Sequence, residues 1–186
     1  MKTLALYSVE NIDHLVQPAD FSGTTLQSPA LSVVSDFKHS EPNMIDAGTA
    51  AREALQMMQR EHSKLKLVVD SGGELVGLLP VEQLSEQAMM RHIAFGTSRD
   101  DIRVADLMRP RERIKALAYQ QLQHCSISDV VNTLQSSGEQ HCVVIDRENH
   151  QIRGVISAQD IARRLKMPLP IQQAPTFLHI FDSLAG

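Results

Sequence analysis

An internal duplication constrains this chain more than any other feature. Residues 53–70 (EALQMMQREHSKLKLVVD) and residues 129–146 (DVVNTLQSSGEQHCVVID) carry the same apolar pattern at a constant offset of 76. Apolar side chains fall at Ala51, Ala54, Leu55 and Met58 in the first copy and at Ile127, Val130, Val131 and Leu134 in the second. This is the i, i+3, i+4, i+7 spacing of one helix face. Each copy then enters a short apolar run, residues 65–69 and 142–145, too short for another helix and rich in β-branched residues, so each reads as helix then buried strand. One extra residue in the second copy's turn moves the offset to 77, where Gly77 answers Gly154, and Val81, Leu84 and Ala88 answer Ala158, Ile161 and Leu165. Each unit is therefore predicted to close with a second helix.

A length of 186 residues suits two half-domains sharing one core, and 42% hydrophobic with 22% charged residues is ordinary for a soluble globular chain. A formal charge of −4 gives no general attraction to nucleic acid or to an anionic membrane, and no basic run exceeds a pair. Neither is expected as a partner. The opening MKTLALYSVENIDH lacks the apolar centre of a signal peptide, and no apolar run approaches the length of a membrane span. The two cysteines, Cys125 and Cys142, cannot make a disulfide framework. The expected compartment is the cytoplasm.

Residues 1–30 form a polar arm punctuated by Gln17-Pro18, Ser22-Gly23 and Ser28-Pro29. Residues 31–37 (LSVVSDF) read as a strand, followed by a loop over 38–42, and residues 114–117 offer a second strand in the equivalent place before the second unit. Thr49 is the expected N-cap of the first helix, and Ser126 with Asp129 three residues on makes a capping box for its counterpart. Ser71-Gly72-Gly73 predicts a hairpin into residues 75–79, and Pro80 suits the first turn of the helix that follows. Between the units, residues 100–108 predict a short helix broken by Arg109-Pro110-Arg111. Near the end, Phe177, Ile180, Phe181 and Leu184 have the spacing of a short docking helix.

Strand, helix, strand, hairpin, strand, helix, repeated twice, resembles a tandem pair of cystathionine-β-synthase (CBS) domains, the Bateman module. The specific words are Gly154-Val155-Ile156-Ser157-Ala158-Gln159-Asp160, which match the family's G-h-x-[ST]-x-x-[DN] element, and Val104-Ala105-Asp106-Leu107-Met108, which resembles the linker of such pairs. The resemblance implies an α/β (α+β) fold of two βαββα repeats packed about a pseudo-two-fold axis. Their boundaries would be 31–95 and 114–167, with an arm at 1–30, a linker at 96–113 and a tail at 168–186. It further implies a regulatory module that binds an adenosine-containing ligand, such as AMP, ADP, ATP, S-adenosylmethionine or NAD, in clefts between the repeats. No cofactor is required. The expected partners are a second copy of the chain in a homodimer and an unidentified protein.

The residue chemistry of that element agrees. Ser157 falls at a strand-to-helix junction and Asp160 one turn later, so both can face one cleft. Ser157 and the first helical N–H groups suit a phosphate, Asp160 can accept both ribose hydroxyls, and Arg163 or Arg164 can meet phosphate oxygens. Gly154, His141 and Val143 complete the expected ligand-binding set with Ser157, Asp160 and Arg163. The same residues also admit a plain capping role for Ser157 and a first-turn electrostatic role for Asp160. In the first unit Pro80 and Gln83 occupy the positions of Ser157 and Asp160, so that half's site is expected to be absent or altered. Lys64 and Lys66 remain as candidate phosphate contacts there.

Other constellations carry less. His124-Cys125 and His141-Cys142 are metal-ligand types, yet their spacing fits no common zinc pattern, and Cys142 heads a buried run. Adjacent residues on an extended segment point to opposite faces, which argues against a Cys125 nucleophile. Met57, Met58, Met89 and Met90 read as helix packing. No catalytic or phosphate-loop motif occurs, so the expectation is a stand-alone, non-enzymatic CBS pair, the rival being a structural interaction module whose ligand site has lapsed.

Overall fold

A computed structural model describes residues 23–171. The helix expected on Phe177, Ile180, Phe181 and Leu184, and the arm as far as residue 22, lie outside the described residues. In chain order the elements are β1 Ser35–Asp36, β2 Met44–Asp46, α1 Ala51–Arg60, β3 Leu65–Val69, β4 Leu75–Pro80 and α2 Glu86–Ala94. There follow α3 Val104–Leu107, β5 Arg109–Pro110, β6 Ala116–Ala118, α4 Tyr119–Leu122, α5 Ile127–Ser137, β7 His141–Asp146, β8 Gln151–Ser157 and α6 Ala158–Leu165. They make two four-stranded sheets, ordered β2-β3-β4-β5 and β1-β8-β7-β6.

The apolar runs are continuous because both faces of each sheet are covered. Along β3, Val68 packs against α1 with Ala54 and Met58, while its neighbour Leu67 faces the other sheet with Leu78 and Val143. The second unit repeats this outer core with Val131, Leu134, Val144 and Ile161. In both units the hairpin is antiparallel and the pre-helix strand joins in parallel, β2 on β3 and β6 on β7.

The segments before each unit exchange places, which corrects the expected strand at 31–37. Residues Ala30–Val33 form a 3-10 turn, and only Ser35–Asp36 is strand. That strand, β1, pairs with β8 of the second unit, Asp36 opposite Gly154; reciprocally β5 pairs with β4 of the first unit, Pro110 opposite Gly77. The counterpart of β6 is thus β2, three residues just beyond the loop expected at 38–42. The two matched glycines are explained by this crossing. A Cβ on Gly154 would stand 2.5 Å from the Ser35 carbonyl oxygen, and one on Gly77 would stand 2.4 Å from Met108 Sδ and 2.8 Å from the Arg109 carbonyl oxygen.

Helix starts follow the same exchange. The Ser126 cap is as expected: its hydroxyl accepts from the Asp129 N–H while the Asp129 carboxylate accepts from the Ser126 N–H. Thr49 is not a cap. Helix α1 begins after Ala50, and the linker serves in place of a side chain, with the Ala51 N–H donating to the Ile102 carbonyl and the Val104 N–H to the Thr49 carbonyl. Pro80 likewise ends β4 rather than opening a helix; a 3-10 turn, Val81–Leu84, intervenes before Ser85 caps α2.

Candidate functional site

β8 runs straight into α6, so Ser157 caps the helix with its backbone extended (φ −120°, ψ 131°) and its hydroxyl makes no capping hydrogen bond. Asp160 and Arg163 follow on the same face and form an ion pair of 3.0 Å, with the carboxylate 43% and the guanidinium 71% exposed. All three line a cleft of about 700 Å³. Its opposite wall belongs to the first unit: His62, Ser63 and Lys64 at the turn from α1 into β3, with Asn43 beside them and Phe37, Leu65 and Leu67 as an apolar floor. The chemistry of a small polar anion with an apolar body is therefore assembled across the two units, with hydroxyls and a carboxylate on one side and Lys64 and His62 on the other.

The remaining expected residues lie elsewhere. Gly154 is covered by β1 as described, Val143 is 2% exposed among the side chains between the sheets, and Arg164 turns away to donate to the Ser32 carbonyl. His141 sits opposite Ser157 across the hairpin, not on the cleft lining. Burial pushes its pKa down, against the raising influence of Glu82, and Arg109, Asp160 and Glu139 are the other charges that act on it. Lys66 does not reach the cleft at all: it is 3% exposed, and its ammonium donates to the Asn43 side-chain oxygen and to Glu61. The expected phosphate cradle at the α6 start is partly used, because the Ala158 N–H donates to the Gln140 carbonyl at 3.0 Å.

Residues that sequence reasoning missed are Asn43, His62 and Ser63. Asn43 donates to the Ser63 hydroxyl at 2.7 Å, and that hydroxyl donates to the Leu65 carbonyl, which fixes the cleft's first-unit wall. His62 holds a left-handed backbone, φ 52°, in the place that Gly138 takes after α5. A signal existed: helices commonly exit through a left-handed residue, usually glycine, and a histidine at that place in one copy against glycine in the other marks a side chain retained at that turn.

At the mirror position Gln83 lines a smaller cleft of about 390 Å³ with Arg109, Arg113 and Glu139. Among the described residues no group of three or more His, Cys, Asp or Glu side chains is placed to hold a metal, and no helix is long and apolar enough to cross a membrane. Cys142 is 3% exposed, and burial pushes its thiol up to about 11, the state of a core residue.

Two βαββα units, each supplying an edge strand to the other's sheet, with a polar cleft at a strand-to-helix junction, define a tandem-repeat α/β module. The chain belongs to the CBS domain family, whose model matches residues 34–88 and 123–167, and it is a tandem CBS pair. Solved structures agree in fold. An uncharacterized conserved protein from Pyrococcus horikoshii superposes with a TM-score of 0.55 at 15% identity, covering 80% of this chain and all of that one (100%). A conserved CBS domain protein from Thermoplasma acidophilum gives 0.50 at 20% identity over 82% and 75%. CBSX2, solved in complex with AMP, gives 0.52 at 16% identity over 73% and 94%. A search of curated proteins returns no match.

Proposed function

We propose that the chain is a non-enzymatic sensor that binds an adenosine-containing nucleotide in the cleft between Ser157, Asp160 and Arg163 of the second unit and His62, Ser63 and Lys64 of the first. The observation that carries this reading is the convergence of those six polar residues from both repeats on one cleft of about 700 Å³ with an apolar floor. The Ser157 hydroxyl, free of capping duty, suits a phosphate or ribose oxygen, and the Asp160 carboxylate suits ribose hydroxyls. On contact with a phosphate, Arg163 exchanges its ion pair with Asp160 for a stronger bidentate partner. Support also comes from the likeness of fold to CBSX2, a structure that holds AMP.

Tandem CBS pairs are generally regulatory modules. A ligand that touches both repeats favours whichever arrangement of the two it fits, by a coupling of typically 1–3 kcal/mol. The reading places the module in the cytoplasm as a homodimer, with Met90 (56% exposed) and Phe95 (91% exposed) on and just after α2 available for a second copy or a protein partner. Titration calorimetry with AMP, ADP, ATP, S-adenosylmethionine and NAD tests it: saturable heat and a raised melting temperature with at least one are expected. Silence from all five in both measurements would sink the sensor reading and leave a structural interaction module.

A further inference from the structure

The pseudo-two-fold relation allows the open cleft to be compared with its mirror residue by residue. Ser35 stands opposite Val155 as Arg109 stands opposite Leu78, so Ser35 answers Arg109. His62 and Gly138 make the same left-handed exit from α1 and α5, and the next residues donate alike, the Ser63 N–H to the Met58 carbonyl and the Glu139 N–H to the Leu134 carbonyl. Ser63 therefore answers Glu139. Where two short serines line the open cleft, the mirror cleft holds a cation and an anion, and they meet: Arg109 and Glu139 form an ion pair, their side chains 30% and 12% exposed.

That pair joins elements of two different sheets. Arg109 belongs to β5, the edge strand of the first sheet, and Glu139 to the turn leading into β7 of the second. Burying a charge is costly unless it is paired, and the Arg109 guanidinium is the partner of the Glu139 carboxylate. His141, two residues on and held neutral by burial, adds no competing charge. Pro80 and Gln83, at the positions of Ser157 and Asp160, leave the mirror cleft, which Arg113 also lines, without the hydroxyl and the carboxylate that the open cleft offers a ribose.

We propose that the Arg109–Glu139 pair is the permanent occupant of the mirror cleft, an internal latch between the repeats that stands where a second ligand would bind, so that the module takes one ligand per chain. A ligand in the open cleft then does on one side of the pair what the latch already does on the other. The stoichiometry rests on the nucleotide reading of the open cleft; the latch itself does not.

Two measurements on the full chain test the proposal and keep it separate from that reading. Calorimetric titration with AMP should give one equivalent per chain, lost in Asp160→Ala and kept in Gln83→Ala; two equivalents, or loss in Gln83→Ala alone, would overturn it. Silence of the unaltered chain toward AMP and the other four ligands alike overturns the nucleotide reading only, and a ligand-free double-mutant cycle then decides the latch. Arg109→Met keeps the stem's packing and Glu139→Gln keeps the shape. Each alone should lower the folding equilibrium constant several-fold in urea titration, and both together should lower it no further than the worse single change. Losses that simply multiply would show that the two side chains do not act as a pair and would overturn the latch.

Discussion

Arg153 and Asp36, 117 residues apart in sequence, are joined by two parallel hydrogen bonds, Nε to Oδ1 at 2.8 Å and Nη2 to Oδ2 at 2.9 Å. The guanidinium also lies 4.2 Å from the centre of the Tyr119 ring. β1 is only two residues long, so few ladder bonds hold it. This fork, with 11% and 20% exposed side chains, fastens the first unit's leading strand to the second unit's sheet. Asp36→Asn should therefore lower stability by about 2 kcal/mol, the scale of hydrogen bonds to charged groups. Arg153→Lys should also lower it, since an ammonium keeps the charge but not the fork. Urea denaturation measures both, and a change within error for Asp36→Asn would mean β1 is held by its neighbours instead.

The same contact sets an acid limit. Hydrogen bonding from Arg153 holds the Asp36 carboxyl at about 2, against an ordinary value of 3.8. A lowered folded-state pKa means that the contribution to stability is full above the unfolded value and fades as pH falls from about 4 through 2. Asp146 behaves alike, held at about 2 first by the Asn149 side chain and then by Gln120. The loss of stability between pH 4 and pH 2 should thus be shallower in Asp36→Asn than in the unaltered chain, as followed by denaturation at stepped pH. Parallel slopes would remove Asp36 as a cause.

Gly154→Ala should be the costlier of the two glycine replacements. Its Cβ would press on the Ser35 backbone at 2.5 Å, whereas Gly77→Ala first meets the flexible Met108 side chain at 2.4 Å and then the Arg109 carbonyl at 2.8 Å. Overpacking of this kind costs about 1–3 kcal/mol, and the difference should appear as a larger drop in melting temperature for Gly154→Ala. Equal, negligible drops would show that β1 and β5 shift aside freely.

These glycines also mark where the sequence was legible and where it was not. Helix faces follow from a period of 3.6, buried strands from short continuous apolar runs and the first hairpin from its glycine turn, all of which depend on neighbours in the chain. That is why α1, β3, α5 and β7 could be read directly from residues 51–70 and 127–146. The exchange of β1 and β5 depends on partners far away in sequence, and a two-residue strand carries no period at all. So Gly154, expected in the ligand-binding set, lies where the backbone of β1 crosses β8, a placement that no local pattern announces. The site was half legible for the same reason: Ser157, Asp160 and Arg163 share one local element, while His62, Ser63 and Asn43 come from the other repeat.

Caps give a sharper contrast between reading and structure. Ser126→Ala should cost about 1 kcal/mol, because it removes the acceptor for the Asp129 N–H in a reciprocal box. Thr49→Ala should change stability little, since only its backbone is engaged at the start of α1. Denaturant midpoints decide, and a Thr49→Ala loss as large as that of Ser126→Ala would restore Thr49 as a cap.

Neighbouring arginines on α6 separate binding from stability. Arg163 is on the cleft lining and, among the described residues, is tied to Asp160 alone, a surface pair worth roughly 0–1 kcal/mol; Arg164 reaches back to the Ser32 carbonyl and holds the 3-10 turn that precedes β1. Arg163→Ala should leave the melting temperature nearly unchanged and weaken whichever phosphorylated nucleotide binds, with little effect on adenosine itself. Arg164→Ala should lower the melting temperature while nucleotide affinity, measured well below that temperature, stays within about twofold. The reverse assignment, affinity lost in Arg164→Ala and stability lost in Arg163→Ala, would place the anion on the other side of α6 and move the site away from the cleft that Ser157 and Asp160 share with Lys64.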